Sequence, residues 1–233
     1  MSSTTTVKDL VDPYGRTIRD LRISVTDRCN FRCTYCMPAE GMTWLDRSEV
    51  LTYEEIERVA RICVETFGVD SLRLTGGEPT VRAHLPQLIS KLAALRLPDG
   101  TKPDIALTTN GATLRNIAVE LRNAGLDRIN VSMDSLKPER FFAMTRRDEL
   151  HNVLAGIAEA QVAGFTPMKV NAVVERGAND DEILDLVRYG RDNNVEVRFI
   201  EFMPLDATNE WERNKVVAKT KLWPLSLLSS HWN

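Results

Sequence analysis

Residues 21–36 decide the fold and the chemistry that this chain can support, and they read LRISVTDRCNFRCTYC. The first six residues alternate apolar and polar side chains with the period of two that is typical of a β-strand. Three cysteines follow the strand in a Cys-x3-Cys-x2-Cys pattern, Cys29, Cys33 and Cys36. Thiolates at this spacing can converge on iron, and three protein ligands leave one iron of a four-iron cluster open. The stretch therefore predicts a strand that leads directly into an iron–sulfur site.

Two other readings of the cysteines stay open at this point. A zinc site would need a fourth ligand, and the three histidines, His84, His151 and His231, are all distant from the triplet in sequence. Solvent-exposed free thiols are the second alternative. The neighbouring Arg28 and Arg32 favour the thiolate form that metal ligation needs. The fourth cysteine, Cys63, has apolar neighbours in a predicted helix and is expected to be a buried structural thiol.

Outward from this stretch, predicted strands and helices alternate along the chain. Period-two segments predict the strands Leu21–Thr26, Ser71–Thr75, Asp104–Thr109, Arg128–Met133, Met168–Val174 and Val195–Phe202. Helical periodicity and capping residues predict the helices Thr52–Phe67, Leu85–Leu97, Leu114–Asn123, Asp148–Ala163 and Asp180–Asp192. Regular alternation of this kind predicts an α/β fold with a parallel sheet.

One face of the predicted sheet is polar, although both faces of a parallel sheet are normally apolar. A single parity of the strands carries Arg22, Ser24, Thr26, Arg73, Thr75, Thr108, Asn130, Ser132, Lys169, Asn171, Glu196 and Arg198. A curled sheet whose lumen contains polar ligands resolves the conflict, and predicts a partial (β/α)6 TIM-like barrel. The alternative is a mixed sheet with its polar face open to water.

Composition excludes several classes of function. The 233 residues include 30 Lys+Arg and 33 Asp+Glu, and the formal charge of -3 gives no overall field that favours nucleic acid or an anionic membrane. The first residues lack the pattern of a signal peptide, and no apolar run is long enough to cross a bilayer. We therefore expect a cytoplasmic protein, and in that reducing compartment the clustered cysteines favour metal chemistry over disulfides.

The triplet, with an aromatic residue directly before its last cysteine, resembles the cluster loop of the radical S-adenosylmethionine (SAM) superfamily. Gly76-Gly77-Glu78-Pro79 after the second strand resembles that superfamily's Gly-Gly-Glu element. Further segments occur in the same order as in the GTP 3′,8-cyclase (MoaA-type) family of molybdenum cofactor biosynthesis, and the chain resembles that family from about Asp12 to about Val217. These segments are 21–29, 73–79, 108–111, 129–134 and 198–203.

The resemblance implies cofactors, ligands and a reaction. It implies a [4Fe-4S] cluster on the cysteine triplet and SAM contacts by Tyr35, Gly77, Ser132 and Met203. It implies GTP contacts by Arg22, Arg73, Thr108 and Lys169. The expected reaction cleaves SAM to a 5′-deoxyadenosyl radical, which abstracts hydrogen from ribose C3′ of GTP before C3′ bonds to guanine C8. The cofactors supply the radical chemistry, and the protein supplies placement.

The resemblance also predicts a division of the chain and a departure from the family. We expect a polar arm at 1–11, the barrel at 12–210 and a divergent tail at 211–233 in place of a C-terminal domain. The family's second cluster has no cysteines here, so the chain is expected to be truncated or frame-shifted, to cleave SAM and to cyclise GTP poorly. An electron donor, a downstream cyclic pyranopterin monophosphate synthase and a homodimer are the implied partners. A radical SAM enzyme acting on another substrate, such as a peptide, and a zinc-binding or inactive scaffold remain rival hypotheses.

Overall fold

The computed structural model describes residues 9–204 and 211–218. Its six strands are β1 (Asp20–Ser24), β2 (Ser71–Thr75), β3 (Asp104–Thr109), β4 (Arg128–Ser132), β5 (Met168–Val174) and β6 (Val195–Glu201). They belong to one sheet whose strand order follows the chain, and the pairs β1–β2, β2–β3, β4–β5 and β5–β6 are parallel. The predicted parallel α/β fold is confirmed, and the mixed-sheet alternative is wrong.

Six helices connect the strands as crossovers. They are α1 (Tyr53–Arg61), α2 (Leu85–Ala93), α3 (Leu114–Asn123), α4 (Pro138–Thr145), α5 (Leu150–Val162) and α6 (Ile183–Asp192). A capping box opens α1, because Thr52 accepts from the Glu55 N–H while Glu55 accepts from the Thr52 N–H. Among the residues that the structure describes, no helix has the length and apolar character to cross a membrane.

The chain divides into two compact units. The first contains the residues up to Cys29, with Trp44–Thr108 and Ile117–Ile129, and the second contains Asn30–Thr43, Thr109–Asn116 and the residues from Asn130 onward. In the first unit, Leu72 and Leu74 of β2 are fully buried, whereas Arg73 between them is exposed. Alternation of this kind places the apolar side chains in the core, where each buried leucine contributes about 1.5–3 kcal/mol.

The second unit shows the same alternation on β5. Met168, Val170, Ala172 and Val174 are fully buried, and the residues between them are only half-buried. Helix α6 packs against β6, and Gly190 of α6 allows this approach, since an added Cβ would lie 2.7 Å from the Val195 oxygen. On β2 and β5, the positions of the predicted polar face are therefore more exposed than the apolar positions between them.

Several features of the structure differ from the predictions, apart from small shifts in the ends of strands and helices. Helix α1 ends at Arg61 and continues as a π-helical segment, Ile62–Thr66, instead of running as one α-helix to Phe67. Cys63 lies in this segment and is half-buried, so the expectation of a buried structural thiol is wrong. Helix α4 has no predicted counterpart. Residues 1–8, 205–210 and 219–233, which include most of the predicted arm and tail, lie outside the described residues.

Candidate active site

The loop that carries the first cysteine rests on the Gly76-Gly77 turn of the first unit. The Gly77 N–H donates to the Thr26 oxygen at 2.7 Å, and the Glu78 N–H donates to the Arg28 oxygen at 2.7 Å. A Cβ on Gly77 would lie 2.5 Å from the Asp27 oxygen and closer still to the Arg28 oxygen. Position 77 therefore requires glycine, because any side chain would overlap the carbonyl groups of the backbone that leads into Cys29.

The other two cysteines lie in the second unit, in a tight turn. The Cys33 oxygen accepts the N–H groups of Cys36 and Met37, both at 3.0 Å. Phe31 anchors the start of this turn, since it is buried and makes an edge-to-face contact with Phe141 at a centroid distance of 5.9 Å. Cys33 is half-buried, Cys36 is exposed, and none of the four cysteines forms a disulfide.

The C-terminal end of α4 holds the backbone of this turn through main-chain bonds. The Arg32 N–H donates to the Thr145 oxygen at 3.0 Å, and the Thr34 N–H donates to the Met144 oxygen at 2.9 Å. Because α4 was not predicted, these contacts could not be anticipated from the sequence.

Two arginines that follow α4 add side-chain bonds to the same turn. The Arg146 guanidinium donates to the oxygens of Arg32 and Met37, both at 3.1 Å, and Arg147 Nε donates to the Asn30 oxygen at 2.8 Å. Sequence reasoning missed both residues, although an Arg-Arg pair directly after a short Pro-initiated helix was a visible feature.

Tyr35, the aromatic residue before the last cysteine, is bonded to a buried carboxyl group. Its hydroxyl donates to Asp134 Oδ2 at 2.7 Å, and Asp134 Oδ1 accepts the Val173 N–H at 2.8 Å. Burial raises the pKa of Asp134 from 3.8 to about 6, and burial next to Asp134 raises the pKa of the Tyr35 phenol well above 10. Partial burial raises the pKa of the Cys36 thiol, and the expectation that flanking arginines favour a thiolate stays a prediction.

The remaining residues predicted to contact SAM lie at strand ends. Ser132 is the last residue of β4 and is the register partner of Asn171, and both side chains are half-buried. Met203 follows β6 and is 47% exposed. These two residues and Tyr35 belong to the second unit, whereas Gly77 belongs to the first.

Three residues predicted to contact GTP lie in the first unit. Arg22 and Arg73 are register partners on β1 and β2, and Thr108 is half-buried near the end of β3. Arg73 forms an ion pair of 2.5 Å with Asp20, and Arg22 Nε lies 3.4 Å from Thr75 Oγ1. Asp20 was not predicted as a partner of these arginines.

The fourth residue, Lys169 on β5, belongs to the second unit. Its register partners are Asn130 and Glu196, and its ammonium lies 3.8 Å from a Glu196 carboxylate oxygen. Glu196 also accepts a hydrogen bond from Arg198 Nε at 2.7 Å. Arg198 and, to a smaller extent, Lys169 lower the pKa of the Glu196 carboxyl group. Its charge therefore offsets those of two basic neighbours.

A cavity of about 570 Å³ lies within the first unit, beside the residues that lead into Cys29. Arg82 in its wall stacks over the Tyr53 ring at 4.3 Å and donates to the oxygens of Val25 and Leu51. Its described lining includes none of the eight residues predicted to contact SAM or GTP.

The cysteine triplet matches the donor set of a cluster site, because the thiols of Cys29, Cys33 and Cys36 follow β1 within a short stretch and none of them forms a disulfide. Within the described ranges, no three His, Cys, Asp or Glu side chains are grouped in a way that could hold a metal ion. The assignment of Cys29, Cys33 and Cys36 as ligands therefore stays a prediction.

Comparison with known proteins defines the class to which this fold and cysteine loop belong. A sequence model of the radical SAM superfamily matches residues 23–190, so the chain belongs to that superfamily. It is 50% identical to the GTP 3′,8-cyclase of Streptomyces coelicolor over 208 residues, which cover 89% of this chain and 60% of that protein. It is 47% identical to the GTP 3′,8-cyclase of Mycolicibacterium smegmatis over 223 residues, covering 96% of this chain and 60% of that protein.

A solved structure agrees at the level of the fold. The crystal structure of Streptococcus suis SuiB bound to S-adenosylmethionine superposes with a TM-score of 0.68 and 18% identity, covering 91% of this chain and 47% of that one. It supports the predicted fold of six β/α units. The chain spans about 60% of the length of the two cyclases.

Proposed function

We propose that this protein acts as a GTP 3′,8-cyclase, a radical SAM lyase that converts GTP to (8S)-3′,8-cyclo-7,8-dihydroguanosine 5′-triphosphate in the first step of molybdenum cofactor biosynthesis. The observation that carries the proposal is 46–50% identity to GTP 3′,8-cyclases across 89–97% of the chain. The chain spans about 60% of the length of those relatives. The activity is therefore the one for which the full-length relatives are named, and it is a proposal for this chain.

In this proposal Cys29, Cys33 and Cys36 hold a [4Fe-4S] cluster, and Tyr35, Gly77, Ser132 and Met203 contact SAM. When bound, these cofactors supply a radical that abstracts hydrogen from ribose C3′ of GTP. The contribution of the chain is placement. The Gly77 turn and the end of α4 fix the backbone around the cysteines, and preset geometry of this kind lowers the cost of assembling a reactive complex.

Arg22, Arg73, Thr108 and Lys169 are proposed to hold GTP. A guanidinium group offers a planar fork to phosphate oxygens, and an ammonium group offers a point charge. Asp20 and Glu196 contact Arg73 and Lys169 in the structure. A triphosphate carries more negative charge than either carboxylate, so we propose that it replaces these contacts when it binds.

The other parts of the proposal follow the family resemblance. Residues 12–210 are taken as the radical SAM barrel, with a polar arm at 1–11 and a divergent tail at 211–233. The polar face of the sheet is proposed to line the ligand site. We also propose that the protein is cytoplasmic. Its proposed partners are an electron donor, a cyclic pyranopterin monophosphate synthase as pathway neighbour and a second copy of the chain.

Deuterium transfer tests the proposed substrate directly. The chain is reconstituted anaerobically with iron and sulfide, then incubated with SAM, dithionite and GTP deuterated at ribose C3′. We expect 5′-deoxyadenosine that carries deuterium from GTP, and little 3′,8-cyclo-7,8-dihydro-GTP, because the chain spans about 60% of the length of the cyclases. Formation of 5′-deoxyadenosine without deuterium would contradict GTP as the substrate and favour another one, such as a peptide. Bound zinc with no iron would favour the scaffold hypothesis.

A further inference from the structure

Two fully buried polar side chains brace the loops that follow β4 and β5. Asn179 Nδ2 donates to the Asp134 oxygen at 2.7 Å and to the Val173 oxygen at 2.8 Å, while its Oδ1 accepts the Glu175 N–H at 2.9 Å. Asn179 is 0% exposed. The Asn179 amide therefore bonds to both loops at once, and its Nδ2 holds the Asp134 carbonyl group in place.

Glu182, also 0% exposed, strengthens the same brace. It accepts from the Ser135 hydroxyl at 2.8 Å, from the Leu136 N–H at 2.9 Å and from the Arg140 guanidinium at 2.6 Å. These contacts hold the residues directly after Asp134 to the loop after β5. A buried carboxylate is stable only with partners of this kind.

The side chain of Asp134 extends from this braced loop to the cysteine turn. It is 3% exposed, and its two oxygens accept from the Val173 N–H and the Tyr35 hydroxyl. The other bonds described above for the turn act on its backbone or on Phe31. The bond to Asp134 holds the Tyr35 side chain, which adjoins Cys36 and whose phenol also contacts the Cys33 side chain.

We propose that Asp134 is a positioning residue, which holds the Tyr35 hydroxyl and so presets the Cys33–Cys36 turn and the Tyr35 ring before any cofactor binds. The proposal rests on the proposed function, because it takes this turn as the cluster loop and Tyr35 as a SAM contact. A side chain that is already ordered avoids the entropic cost of ordering on binding, which corresponds to about three- to tenfold in affinity.

Removal of one hydroxyl tests the proposal with little change in packing. Tyr35→Phe deletes the bond and keeps the ring, and Asp134→Ala deletes the acceptor. Tyr53→Phe is the matched control, since the Tyr53 hydroxyl donates to the Ala83 oxygen at 2.8 Å in the first unit. Asp134→Asn is the conservative variant, because its amide can donate to the phenol oxygen and its carbonyl can still accept from Val173.

The first readout needs no cofactor: the rate at which iodoacetamide alkylates Cys36 in the metal-free chain, with Cys63 as internal reference. We expect Tyr35→Phe and Asp134→Ala each to raise the Cys36 rate by about threefold or more, and the double variant to add nothing further. Asp134→Asn and Tyr53→Phe should stay within about twofold of wild type, and the Cys63 rate should not change. An unchanged Cys36 rate in Tyr35→Phe, or additive effects in the double variant, would overturn the proposal.

The second readout is the dissociation constant for SAM in reconstituted protein of equal iron content. We expect it to rise about three- to tenfold in Tyr35→Phe, with wild-type affinity in Tyr53→Phe. An unchanged affinity in Tyr35→Phe would overturn the proposal while leaving the proposed function intact. If the chain binds no iron, the proposed function fails, and the alkylation rates of the metal-free chain still decide whether Asp134 positions the turn.

Discussion

Arg22 of β1 and Arg73 of β2 are register partners on adjacent parallel strands, so their two positive charges lie side by side on the polar face of these strands. Like charges at neighbouring strand positions repel each other, and the ion pair between Arg73 and Asp20 offsets part of this cost. A pair of arginines with one neutralising carboxylate leaves an excess of positive charge. This arrangement suits a ligand with several negative charges, as a triphosphate has.

Loss of the Arg73 guanidinium is therefore expected to weaken GTP binding. Arg73→Ala should raise the dissociation constant for GTP about ten- to a hundredfold, because a hydrogen bond to a charged group contributes about 1.5–3 kcal/mol. Arg73→Lys should lose less, since a point charge remains. Equilibrium dialysis of the metal-free chain measures both. Arg61→Ala is the control, because Arg61 is paired with Glu57 of α1 and with Glu65 of the following π-helical segment. Equal losses in Arg61→Ala and Arg73→Ala would contradict the assignment.

A methyl group at position 77 should disrupt the backbone that leads into Cys29. Gly77→Ala places a Cβ against the Asp27 and Arg28 oxygens and should lower the free energy of unfolding by about 1–3 kcal/mol. Gly100→Ala is the comparison, since its left-handed φ of 85° is strained by alanine although no atom lies within 4 Å of the added carbon. Urea unfolding measures both variants. A smaller loss in Gly77→Ala than in Gly100→Ala would show that the overlap is relieved cheaply.

The buried Asp134 predicts a pH dependence of stability. Its pKa is about 6 in the folded chain and near 3.8 when unfolded, so the folded state binds more protons between these values. The contribution of Asp134 to stability is therefore present at low pH and is lost as the pH rises through about 6. The two-unit difference corresponds to roughly 3 kcal/mol at most. Unfolding free energies of the metal-free chain across this window measure the effect.

Asp134→Asn isolates this contribution from those of other carboxyl groups. Glu57, Asp181 and Glu196 have lowered pKa values because of their basic partners, so their contributions change with pH in the opposite direction. The stability of wild type relative to Asp134→Asn should fall as the pH rises from about 4 to about 7. A difference that is constant with pH would mean that the Asp134 carboxyl ionises in the folded chain at its ordinary pKa.

The brace between the loops after β4 and β5 predicts unequal effects for two adjacent acids. Glu182→Ala removes a fully buried carboxylate from Arg140, Ser135 and the Leu136 N–H, and should destabilise the chain by about 3–5 kcal/mol. Asp181→Ala removes an exposed partner of Arg140 and should cost at most about 1 kcal/mol. Thermal unfolding of the two variants, measured side by side, gives the comparison. Equal losses would contradict the central role of Glu182.

Much of the fold was predictable because local sequence patterns determine it. The bounds of β2, β3, β5 and α3 agree with those predicted, since period-two or helical periodicity and turn residues mark both ends. Helix α4 was missed because its eight residues include two adjacent phenylalanines and show little periodicity. The π-helical segment after Arg61 was also missed, because its apolar residues fit an ordinary helix equally well.

The candidate site was predictable only where its motifs are local. The cysteine triplet lies within one short stretch of sequence, and the Gly76-Gly77 turn lies within another. The structure adds the hydrogen bonds that each stretch makes. The bond between Tyr35 and Asp134 joins residues 99 positions apart, and sequence periodicity carries no information on such a pair. Asp20 beside Arg73 and Arg146 beside the cysteine turn are tertiary contacts of the same kind.

The central claim is that the cysteine triplet supports radical SAM chemistry, and 5′-deoxyadenosine formation tests it most directly. Wild type, Cys36→Ala and Cys63→Ala are reconstituted anaerobically with iron and sulfide, reduced with dithionite and supplied with SAM, and the nucleoside is quantified by chromatography. We predict SAM-dependent 5′-deoxyadenosine from wild type and Cys63→Ala, and none above background from Cys36→Ala. Absence of the nucleoside from iron-loaded wild type, or equal formation by Cys36→Ala, would contradict the account.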